Sequence, residues 1–75
     1  MSNTNRPLQE AVPAVRQKFP ATPFENTPGR DAVAFRAVDL DQARRIARAF
    51  KVWTGGLLDL RLRRVVGAVY RIEVR

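Results

Sequence analysis

The residues between 39 and 51, DLDQARRIARAFK, leave this chain few options. Ala43, Ile46, Ala47 and Phe50 recur at i, i+3, i+4 and i+7, which makes one apolar stripe along a helix. Arg44, Arg48 and Lys51 recur at i, i+4 and i+7 on another side, with Arg45 and Asp41 beside them. One side has to be buried, and the other has to meet water or something negative. Asp39 stands where an N-cap is needed, and Gln42 follows at the spacing of a capping box. Asp41 adds negative charge at the positive end of the helix dipole. Thr54-Gly55-Gly56 closes the helix, because glycine takes the left-handed C-terminal conformation without penalty.

The flanking segments supply something for that stripe to pack on. Residues 31–38, DAVAFRAV, read as a strand, with Val33, Phe35 and Ala37 alternating with Ala34 and Arg36. Residues 57–64, LLDLRLRR, alternate again: Leu58, Leu60 and Leu62 against Asp59, Arg61 and Arg63. Residues 69–75, VYRIEVR, set Tyr70, Ile72 and Val74 against Arg71, Glu73 and Arg75, after a turn in Val65-Val66-Gly67-Ala68. The two runs read as a hairpin. One register places Asp59 opposite Arg75, Arg61 opposite Glu73 and Arg63 opposite Arg71. The expected fold is a small α+β domain: strand, helix and β-hairpin, with an antiparallel or mixed sheet packed on one main helix. Strand 31–38 could flank either strand of the hairpin.

A second reading competes with this one. Leu58, Leu62, Val65 and Val69 also fit helical spacing, which would make two helices joined by a turn, as in a helix-turn-helix DNA reader. Against it, Gly55-Gly56 is a poor start for a recognition helix, Lys51 occupies the usual place of the turn glycine, and Leu60 would face away from the stripe.

All five prolines fall in the first 28 residues. Residues 1–30 therefore read as a Pro-rich N-terminal arm, and residues 31–75 as the compact core. Within the arm, residues 1–6 are expected to be disordered. Val12, Val15 and Phe19 share a weak helical face, and Pro7 suits a first turn, but Pro13 would interrupt a long helix. One short or broken helix is expected. Residues 20–30, PATPFENTPGR, are loop chemistry, with room for a short edge strand over 22–26 that turns back through Pro28-Gly29.

Charge is the strongest compositional fact. Fourteen Lys and Arg against seven acidic residues give a net charge of +7, and twelve of the fourteen are Arg. That balance favours anionic partners, and the planar guanidinium suits bidentate contact with phosphate or carboxylate. A chain without His or Cys lacks the commonest general base, the commonest transition-metal ligand and the thiol nucleophile. The single serine, Ser2, lies near the N-terminus, and no phosphate-loop motif is present. No enzymatic activity, cofactor or metal is expected. The N-terminus is polar and has no signal-peptide pattern, and the apolar runs fall far short of a membrane span. A cytoplasmic protein that does not engage a membrane is the expectation.

Two basic surfaces are the candidate binding sites. One is the helix face, with Arg44, Arg45, Arg48 and Lys51; the other is the sheet face turned away from the helix, with Arg36, Arg61, Arg63, Arg71 and Arg75. A solvated face explains the helix patch as readily as a binding role does. The sheet patch repels itself unless anions or a partner neutralise it. Phe35, Phe50 and Tyr70 fall on core positions, so base stacking has little support. Trp53, at the edge of the apolar stripe, reads first as a lid on the core, and Trp53 and Phe24 are also candidate interface anchors.

The run DAVAFRAVDLDQARRIARAF followed by a glycine-marked hairpin resembles small phage-encoded inhibitors of the anti-CRISPR type, over residues 31–75. The resemblance implies a stoichiometric inhibitor that docks on a host nucleoprotein complex without catalysis. Three functions are carried forward: docking on a nucleic-acid-handling protein complex, direct DNA or RNA binding by a monomer or homodimer, and a structural or assembly subunit.

Overall fold

A computed structural model describes residues 7–27, 31–56 and 59–74. The element order is α1 (Pro7–Lys18), β1 (Phe24–Asn26), β2 (Ala32–Arg36), α2 (Leu40–Trp53), β3 (Leu60–Val66) and β4 (Val69–Val74). The expected α+β class holds, with a sheet of four strands in the order β1-β2-β4-β3, every pair antiparallel. Strand β2 therefore flanks β4, which settles the strand order that alternation alone left open. The expectations for residues 1–6, for the Pro28-Gly29 turn, for Leu57 and Leu58, and for an Asp59–Arg75 pair lie outside the described residues.

The hairpin overturns the two-helix alternative. Arg61 stands opposite Glu73, and Arg63 opposite Arg71, in the register read from alternation. Val66 pairs with Val69, so Gly67 and Ala68 form a two-residue turn, and Gly67 supplies the positive φ of 51°. A period of two puts Leu60, Leu62, Tyr70, Ile72 and Val74 against the core together, which a helix could not do.

Helix α2 is capped at both ends by the residues its sequence offers. The Asp39 carboxylate accepts a 2.8 Å hydrogen bond from the Gln42 backbone N–H. The Gln42 side chain reaches back to accept from the Val38 N–H, also at 2.8 Å, one residue earlier than a standard capping box. At the far end the Gly56 N–H donates to the Lys51 carbonyl and the Gly55 N–H to the Val52 carbonyl, the Schellman pattern. Gly55 and Gly56 hold φ of 75° and 72°, which few other residues tolerate. Replacing Asp39 with alanine is expected to lower stability by about 1 kcal/mol, whereas asparagine should retain most of it. Urea unfolding followed by circular dichroism reads both.

The N-terminal third is built into the core. Leu8, Ala11, Val12 and Val15 form the buried stripe of α1, at most 7% exposed. Helix α1 packs on α2 and β2, so residues 7–27 belong to the same core as residues 31–74. Pro13 sits inside the helix on its exposed side without ending it. Proline removes one N–H and crowds the preceding turn, so something must offset that cost. Here burial of the stripe does so, together with two tertiary bonds. The Asp31 carboxylate accepts from the Leu8 N–H at 3.1 Å, and the Gln9 amide donates to the Ala32 carbonyl at 3.2 Å. An acidic group from 23 residues away thus serves the N-terminus of α1.

Both helices cover one face of the sheet. The enclosed core contains Val33 and Phe35 of β2, Tyr70 and Ile72 of β4, and Ala43, Ile46 and Phe50 of α2, together with the α1 stripe.

Candidate anion-facing surfaces

Arg44, Arg45, Arg48 and Lys51 are all exposed. Arg45 is engaged by Asp41 at 3.2 Å, an i,i+4 pair in which both side chains are roughly three-quarters exposed. Such pairs contribute little. Among the described residues no ion pair engages Arg44, Arg48 or Lys51.

The sheet patch is organised differently. Arg36, Arg61, Arg63 and Arg71 do share the uncovered face, since their registers alternate with the core-facing set. Arg75 lies outside the described residues. Glu73 sits among them and joins two of them: its Oε2 lies 3.1 Å from Arg71 Nε, and its Oε1 lies 3.8 Å from Arg63 Nη1. The Arg71 Nε and Glu73 Oε2 atoms are shielded from solvent, and their contact is an ion pair without hydrogen-bond alignment. Glu73 stands opposite Arg61 on the ladder, yet its ion pairs run to Arg63 and Arg71 instead. The self-repulsion expected of this face is therefore partly relieved from within. Glu25 on β1 lies in the same cross-strand row as Arg71 and Arg63, through Ala34.

Sequence reasoning placed Arg64 in neither patch. It follows Leu60 and Leu62 in the period of two, which turns it to the helix-covered face at the sheet's rim. There its Nε donates a 2.9 Å hydrogen bond to the Gly67 carbonyl, which fixes the side chain. Arg64 and Arg44 line an open groove of ≈ 510 Å³ between α2 and β3, with Leu40, Ala47, Leu62 and Tyr70 as its apolar lining. The parity of the LRLRR run carries the signal that would have found Arg64.

Of the two aromatic candidates, Phe24 is taken up by the core. Its ring lies 6.0 Å from Phe35 and 5.8 Å from Phe50, edge-on to the latter. Trp53 remains 51% exposed at the end of α2, next to Val52 at 66%. A small notch beside them is lined by Ala14, Val15, Lys18 and Ala49. The hairpin tip adds exposed Val65 and Val66.

Among the described residues no cluster of acidic side chains has a metal-binding arrangement, and no helix is long and apolar enough to cross a membrane. No family model, curated protein or solved structure matches the chain.

Proposed function

We propose that this chain is a small, non-enzymatic, basic binding protein of the cytoplasm that docks on a protein complex which handles nucleic acid. The observation that carries the reading is the mixture on its surface. Exposed Trp53, Val52, Leu40, Val65 and Val66 accompany the free guanidinium groups of Arg44 and Arg48. Protein interfaces are enriched in Trp and Arg and poor in Lys, whereas phosphate-backbone binding needs no exposed apolar groups. A phage-type inhibitor that acts by occupying such a complex is the narrower form of this reading.

Direct nucleic-acid binding is the second reading. It is favoured by the unpaired run Arg44, Arg48 and Lys51 along one side of α2. Fluorescence anisotropy of the full chain with a DNA duplex, single-stranded DNA and an RNA duplex, at low and near-physiological salt, separates the two. Docking on protein predicts weak binding that vanishes with salt. Micromolar or tighter binding that survives near-physiological salt would assign the direct function instead, and its salt slope would count the phosphates engaged.

A further inference from the structure

The sheet has two edges, and they are unequal. Strand β1 has only three residues and follows Pro23, and short length with a nearby proline is a common protection of an edge. Strand β3 is seven residues long, without proline, and is the other edge. Among the described residues its backbone bonds run to β4 alone. Its outer row of N–H and C=O groups is a template for a further strand.

The side chains of β3 state which strand fits. Arg61 and Arg63 project from the uncovered face, while Leu62 and Arg64 form one wall of the groove opposite Leu40, Arg44 and Ala47. A second copy of this chain meets conflict in the symmetric antiparallel registers that pair at least five residues of β3 and keep the two faces aligned. Centring on Leu62 sets Arg61 against Arg63, centring on Arg63 sets it against itself, and centring on Arg64 does the same there. Like charges directly opposite are destabilising.

We infer that the outer edge of β3 takes an extended acidic segment of a partner protein as a fifth strand. Carboxylates stand opposite Arg61, Arg63 and Arg64, and an apolar side chain opposite Leu62 seats against Leu40 and Ala47. Read antiparallel from Arg64 to Leu60, the segment runs acid, acid, apolar, acid, apolar. The inference rests on the docking reading and gives its partner a chemistry. The backbone ladder supplies affinity, and the alternating faces supply selectivity.

The test uses the full chain and a labelled peptide, acetyl-Ser-Glu-Glu-Leu-Glu-Leu-Ser-amide. Two rivals accompany it: a shuffled peptide of equal composition, and the ordered peptide N-methylated on alternate backbone nitrogens, made in both phases. The ordered peptide should bind at least about tenfold more tightly than the shuffled one. One N-methylation phase should abolish binding and the other should not. Amide exchange should slow at alternate residues of β3. Equal binding of all the peptides would overturn strand addition and leave charge-based docking standing. Failure of the ordered peptide to bind also overturns it. If a DNA duplex then binds at near-physiological salt, the docking reading falls with it.

Discussion

Replacing Leu8 with alanine is expected to lower stability by about 2–5 kcal/mol, the usual range for a fully buried leucine. A chain of this length has on the order of 4–11 kcal/mol in total, so the loss is about half of what exists. The cause is the placement of Leu8. It is 0% exposed and is among the largest side chains of the core, in a helix that covers β2 and braces α2. Alanine there leaves a void that α1 cannot close freely, because the Leu8 N–H is held by Asp31 and the Gln9 amide by Ala32. Methionine at the same position nearly conserves volume and should cost less than about 1.5 kcal/mol. Urea unfolding followed by circular dichroism reads both variants. An alanine variant within about 0.5 kcal/mol of the parent would show that α1 is an appendage.

That helix was the least legible part of the sequence. Periodicity shows Val12 and Val15 as a face, but Pro13 points to a short or broken helix, and the early prolines point to an arm outside the core. Its stripe begins earlier, at Leu8 and Ala11, and what sustains it is not local. A carboxylate 23 residues away and a β2 carbonyl cannot be read from helical periodicity. Helix α2 was legible for the opposite reason. Asp39, Gln42, Gly55 and Gly56 act within a few residues of the helix they bound, so sequence spacing and structure coincide. The hairpin register followed from alternation. Which strand flanks it did not, because pairing of β2 with β4 depends on how the intervening helix crosses the sheet.

The candidate surfaces show the same division. Spacing places Arg44, Arg48 and Lys51 on one side of α2, and the structure leaves them free. On the sheet, alternation finds the four arginines but misses where Glu73 directs its charge. Cross-strand position gives Glu73 to Arg61, whereas the ion pairs form with Arg71 on its own strand and with Arg63 diagonally. Side-chain reach decides this, and register alone does not contain it.

Charge reversal should therefore separate structural arginines from available ones. Arg71→Glu sets a second carboxylate beside Glu73, in a site where the two side chains are only 27% and 19% exposed. Like charges so placed are costly, and stability should fall by about 2–3 kcal/mol. Arg44→Glu, Arg48→Glu and Arg64→Glu together meet a different situation. Among the described residues the first two have no ion-pair partner, and Arg64 is exposed and bonded to a turn carbonyl alone. Urea unfolding should shift by less than about 1 kcal/mol for this triple variant. Its affinity for a DNA duplex at low salt, where any polyanion reports on free positive charge, should nevertheless fall by about 100-fold. The salt slope should drop by up to about 3, close to one unit for each cation that contacts a phosphate. A triple variant with unchanged low-salt affinity would move the anion-facing surface off the α2–β3 groove. A stable Arg71→Glu chain would show that Glu73 is not what holds the uncovered face together.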